Sequence, residues 1–133
     1  MRAGDYVLVQ LSPSAKRRTL ARLCGYHGLN ARIEIYRVNP ERVISAVIPM
    51  AQLCGKAPES EKLRAFRSLY EIKEARQRRE RAQISVGVFA ELVGVTANTI
   101  KAAESGKQKT QARVRLWILE GLRRVEARAA KSS

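Results

Sequence analysis

The segment Ser85-Val86-Gly87-Val88-Phe89-Ala90-Glu91-Leu92-Val93-Gly94-Val95-Thr96-Ala97-Asn98-Thr99-Ile100-Lys101-Ala102-Ala103-Glu104-Ser105-Gly106-Lys107 decides how the chain is read. Its apolar residues recur at helical spacing on both sides of Gly94. That pattern predicts two short amphipathic helices with a sharp turn between them. Ser85 and Thr96 stand where each helix begins, and a hydroxyl there can accept a hydrogen bond from an unpaired backbone N–H of the first turn. Gly94 suits the turn because a residue without Cβ tolerates positive φ. Phe89 and Ala90, with Leu92 or Val93, form the inward face of the first helix. Ile100 and Ala103 form that of the second, and Val95 fills the angle between them.

Upstream, residues 61–81 read as helix with an apolar stripe of Leu63, Phe66, Leu69, Tyr70 and Ile72, and the Arg-rich end reads as solvated. Downstream, residues 112–119 read as a closing helix, and Leu116 and Trp117 are expected to join Phe89, Leu92 and Ile100 in one core. Residues 55–60, Gly-Lys-Ala-Pro-Glu-Ser, read as a linker, and the pattern changes after it. Before it, residues 6–11 read as a strand and Ser12-Pro13-Ser14 as the start of a helix through Leu20, Leu23 and Cys24. Residues 31–38 alternate as a strand does, with a short helix as the other option. Asn39-Pro40 reads as a turn, and Pro49 interrupts the apolar run from Val43 to Leu53. A strand followed by a basic helix also fits the entry of a ribbon-helix-helix protein, but Pro40 and the alternation at Ile33 and Ile35 spoil the second helix. The expected fold is mainly α. A small α/β domain over residues 1–57 precedes a four- or five-helix domain over residues 58–133.

Composition narrows the function. The chain of 133 residues carries 26 Lys and Arg against 12 Asp and Glu, a net charge of +14. An acidic partner is implied: nucleic acid, an anionic membrane or an acidic protein. Basic residues are spread over several elements rather than along one face of one amphipathic helix, which favours a duplex backbone over a lipid surface. Aromatic residues are 5% of the chain, too few for a platform that stacks single-stranded bases. No apolar run is long enough to span a bilayer, and the first residues lack the layout of a secretion signal, so a cytoplasmic protein without a membrane role is expected. Cys24, His27 and Cys54 supply three metal-ligand types where a structural zinc site uses four. No metal or other cofactor is expected. With one histidine, no Ser-His-acid set and no phosphate-cradling glycine loop, neither is an enzyme.

Two helices meeting at such a turn make a helix-turn-helix, whose second helix enters the major groove of DNA. The segment resembles the phage-repressor (Cro/C1-type) helix-turn-helix family, and within it the HigA/MqsA-type antitoxin regulators. The matching residues are Ile72-Lys-Glu-Ala-Arg76, Ser85, Phe89-Ala90, Leu92, Gly94-Val95-Thr96, Asn98-Thr99-Ile100, Glu104 and Gly106-Lys107. The similarity runs from Leu69 to Leu122, about half of the chain. Val86 stands where the family commonly has a phosphate-binding Gln, and the loop between Arg76 and Ser85 is a few residues long by comparison. The resemblance implies a sequence-specific DNA-binding repressor, or alternatively an antitoxin that holds its toxin through residues 1–57 and represses its own gene.

Residue chemistry assigns the roles. Asn98 matches the donor–acceptor edge of adenine, the Thr96 methyl or Ala97 can touch a thymine methyl, and Thr99 and Lys101 come next. The free N–H groups at Ser85 and Val86 and the ammonium groups of Lys107 and Lys109 are expected on phosphates. One such module reads few base pairs, so a homodimer is expected, with residues 1–57 as its dimerisation, partner or ligand-binding part.

Overall fold

The computed structural model describes residues 1–106 and 109–132. The chain divides into two compact units, Met1–Leu63 and Arg64–Ser133. The division falls inside the first turn of a helix rather than after residue 57.

The first unit is a five-stranded antiparallel sheet: β1 (Tyr6–Val9), β2 (Thr19–His27), β3 (Asn30–Arg37), β4 (Arg42–Pro49) and β5 (Leu53–Lys56). The strand order is β4-β3-β2-β1-β5, a meander whose last strand returns beside the first. A short 3-10 turn, Met50–Gln52, makes that return possible. This sheet overturns the expectation of a mainly α protein: the fold is α/β, with the sheet in the N-terminal half and the helices in the C-terminal half.

The largest local correction is β2, which was expected to be helical. Leu20, Leu23 and Cys24 do fall at helical spacing. In the sheet, however, Ala21 lies between Val7 and Ile35, and Leu23 pairs with Ile33, so alternate residues line one core face. A bulge between Leu23 and Gly25 breaks the alternation and hides it from a period-two reading. The core of this unit is Val7, Val9, Ala21, Leu23, Ile33 and Ile35, with Ala31 and Ile48. These partners lie far apart in sequence, so pairing overrides local propensity. The same topology excludes the ribbon-helix-helix option. Gly55 and Lys56, expected in a linker, belong to β5 and pair with Leu8 and Val7.

The second unit holds α1 (Glu61–Glu71), α2 (Ala75–Arg81), α3 (Val86–Val93), α4 (Ala97–Ser105) and α5 (Ala112–Ser132), with a 3-10 turn at Ile72–Glu74 between α1 and α2. Ile72, Phe89, Ile100, Ile118, Leu119 and Leu122 form most of its core. Two residues expected there are exposed: Leu92 keeps 44% and Trp117 48% of its surface. On α5 the inward stripe is Ile118, Leu119, Leu122 and Val125, which turns Trp117 outward beneath the Arg113 guanidinium. Gly121 is where α3 crosses closely, since a Cβ there would stand 2.7 Å from Val93 Cγ2 and 3.3 Å from Phe89 Cε1. Among the described residues, no single helix is long and apolar enough to cross a membrane.

Candidate nucleic-acid interface

α3 and α4 meet at 105°, within the ~90–120° of helix-turn-helix pairs. The turn between them works as its residues dictate. Ser85 Oγ accepts from Val88 N–H at 3.3 Å to start α3, and Gly94 ends it in the left-handed region at φ 87°. Thr96 Oγ1 accepts from Thr99 N–H at 3.2 Å to start α4. Val95 packs half-buried against the core, and Phe89, Ala90, Ile100 and Ala103 are buried as expected.

The candidate base-reading residues separate into three kinds. Asn98 and Lys101 are exposed, and with Ala102 and Ser105 they form the outer stripe of α4. Among the described residues the Asn98 amide makes no hydrogen bond. Thr96 and Thr99 are engaged with each other: their hydroxyls lie 2.9 Å apart, in addition to the cap. Ala97 is half-buried against the core, on the inner side of the helix. Asn98 and Lys101 are therefore the side chains of α4 best placed to meet a groove.

The phosphate candidates sit around this stripe. Ser85 is exposed at the α3 cap and Val86 follows it half-buried, leaving the first N–H groups of α3 at the helix start, where the macrodipole favours an anion. Arg76, Val86, Lys101 and Ser105 rim one shallow hollow. Lys73, Gly106, Lys109 and Thr110 border another at the far end of α4. Lys107 lies outside the described residues.

Two buried arginines organise the site, and sequence reading missed both. Arg79 was placed on the solvated end of its helix, but it keeps only 7% of its surface. Its guanidinium spans from α2 to α4: Nε donates to Glu104 Oε2 at 2.7 Å, Nη2 to Glu104 Oε1 at 3.2 Å and Nη1 to the Ile84 carbonyl at 2.8 Å. The hydrogen bond to Glu104 raises the Arg79 pKa above its usual value, against the opposing pull of burial. This bond fixes α4 against α2. Arg76, the arginine matched by the resemblance, instead pairs with Glu80 on the surface at 2.9 Å.

Between Arg79 and Ser85 the chain turns back at Gln83, which takes the left-handed conformation at φ 58°. A glycine there would have given the signal.

Arg115 on α5 is 98% buried. It donates to Ser68 Oγ at 2.8 Å, to the Ala65 carbonyl at 3.1 Å and to the Thr110 carbonyl, joining α1 to the approach to α5. Next to Arg79, Arg78 forms a two-pronged pair with Glu126, Nη2 to Oε1 at 2.6 Å and Nε to Oε2 at 2.9 Å. That pair holds the Glu126 carboxyl below its usual range. Consecutive arginines of α2 thus grip α4 and α5.

The other candidate ligands are apart from this surface. Cys24 donates to Glu34 at 3.4 Å, and burial with that carboxylate pushes its thiol pKa up. Cys54 points back to the Gln52 carbonyl. Among the described residues no three His, Cys, Asp or Glu side chains gather as metal ligands do.

In comparisons with known proteins, no family model, no curated protein and no solved structure matches the chain.

Proposed function

We propose that the chain binds double-stranded DNA sequence-specifically and acts as a transcriptional repressor, with α4 in the major groove. The observation that carries this reading is the capped α3–α4 pair at 105°, which turns the uncommitted Asn98 and Lys101 outward between two cation-rimmed hollows. The Asn98 amide matches adenine N6 and N7, and Lys101 matches guanine O6 and N7. The N-terminus of α3, Arg76 and Lys109 hold the backbone on either side and set the register of the helix. Thr96 and Thr99 serve the helix start, with only their methyl groups left for thymine. Repression then follows from occupancy of the site.

The test begins by selecting bound duplexes from a random pool, followed by titration on the selected site and on a scrambled one. Asn98→Ala is expected to cost about 1–3 kcal/mol on the selected site and little on the scrambled duplex. Lys109→Ala is expected to weaken both alike. Equal losses on both duplexes for Asn98→Ala would remove α4 from the groove.

A further inference from the structure

The sheet has two edges of different character. The β5 edge is four residues long, contains Gly55 and Lys56, and meets β1 through an irregular register. These features discourage further pairing. The β4 edge is the opposite. It runs eight residues, pairs with β3 without a break in register from Arg37–Arg42 to Asn30–Pro49, and carries no charge after Arg42. No charged side chain therefore guards that stretch of edge against a further strand. Its apolar side chains face solvent: Val43 at 36%, Ile44 at 43% and Val47 at 64%. Val38 stands exposed at one end of the strand, and Leu29 and Met50 at the other.

The geometry points to β4 as the dimerisation edge of this protein, pairing antiparallel with β4 of a second copy about a two-fold axis through Ser45. Along an unbulged strand, outward backbone N–H and C=O groups belong to alternate residues. Two copies related by a two-fold must match residues of equal parity, so the axis passes through a residue and not between two. An axis through Ser45 sets Val43 opposite Val47 and Ile44 opposite Ala46, and it leaves Pro49, which has no N–H, outside the ladder. An axis through Ala46 would bring Pro49 into the ladder opposite Val43.

Charge fits the same register. Arg42 lies opposite Ile48, six residues along the strand from its own copy. That is about 20 Å at ~3.4 Å per residue, twice the Debye length of about 10 Å at 0.1 M salt. The size of the surface agrees as well. Complete cover of the six exposed side chains sets an upper limit of about 1,000 Å² for the pair before the backbone is counted, just under the ~1,200 Å² at which stable interfaces begin. A reversible dimer in the micromolar range is the expected result. The sheet alone carries this argument. Its consequence, two recognition helices in one particle, rests on the DNA reading.

The experiment is sedimentation of the full chain over a hundredfold concentration range without DNA. The wild type is expected to pass from monomer to dimer, and Val47→Lys to stay monomeric with an unchanged melting temperature. Register is read separately with Cys24→Ser and Cys54→Ser in place. Opposed Cβ atoms in such a pair lie about 4.5–5.5 Å apart, a small adjustment from disulfide distance. Ser45→Cys should therefore cross-link to its copy under oxidation, and Val47→Cys, four residues from its own copy, should not. A wild type that stays monomeric, a dimer that survives Val47→Lys, or cross-linking by Val47→Cys ahead of Ser45→Cys would each overturn the proposal. So would an edge that takes up only a foreign polypeptide. A dimer that binds no DNA would leave this inference standing and remove the DNA reading instead.

Discussion

Replacing Arg79 with Leu should strike the helical unit harder than any surface arginine. The wild-type side chain makes three charge-assisted or carbonyl hydrogen bonds, and its partner Glu104 has only 6% of its side chain exposed. Removing the cation strands a buried carboxylate, which costs about 3–5 kcal/mol. A unit of this size has a total stability of about 4–10 kcal/mol, so about 30% or more of it is lost. With a urea slope of about 1.5 kcal/mol per molar, the midpoint falls by about 2–3 M. Trp117 is the only tryptophan and lies on α5, so its fluorescence follows this unit in the full chain. The companion is Arg79→Leu with Glu104→Leu, which removes both charges and should recover most of the loss, since well-packed apolar pairs replace buried ion pairs at little cost. The reasoning is wrong if Arg79→Leu costs under about 1 kcal/mol, or if the double variant is as unstable as the two single losses added together.

Acid should loosen the grip of α2 on α5. The Glu126 pKa is lowered in the fold by Arg78, so its contribution is present above the unfolded carboxylate pKa of 4.5 and is lost as pH falls through the depressed value. Glu126→Gln should flatten the acid limb of a stability-versus-pH curve below about pH 4.5, and an unchanged limb would dissociate the pair from acid stability. Gly121→Ala trades a helix-propensity gain of about 1 kcal/mol for overpacking of about 1–3 kcal/mol against Val93 and Phe89. Thermal melts should show it less stable than wild type, and a higher melting temperature would mean that α3 gives way freely.

The turn of the helical unit was legible because its determinants are local. Ser85, Gly94 and Thr96 act within four residues of themselves, and the sequence displays them in order. What was hidden depends on distance. β2 is a strand because Val7 and Ile35 lie on either side of Ala21, and nothing between residues 12 and 24 announces those partners. Arg79 and Arg115 look like any other basic residue of a basic chain. Only their acceptors, Glu104 on one side and Ser68 and Ala65 on the other, distinguish them from solvated charges. Trp117 misled in the other direction: a large apolar residue was assigned to the core, but the inward stripe of α5 lies on its neighbours Ile118 and Leu119.

The internal use of arginine changes what a salt titration of this protein should report. Each phosphate neutralised by a protein cation releases about 0.9 of a condensed counterion from B-DNA. Arg78, Arg79 and Arg115 already have their guanidinium groups committed to Glu126, to Glu104 and Ile84, and to backbone and Ser68 oxygens. They add to the formal charge and, on the proposed DNA reading, should displace no cations from a duplex. On the proposed DNA reading, the number of ions released on binding should therefore follow exposed groups such as Lys101 and stay well below the count of basic residues. Exchanging Arg79 or Arg115 for a neutral residue should destabilise the helical unit without altering that number.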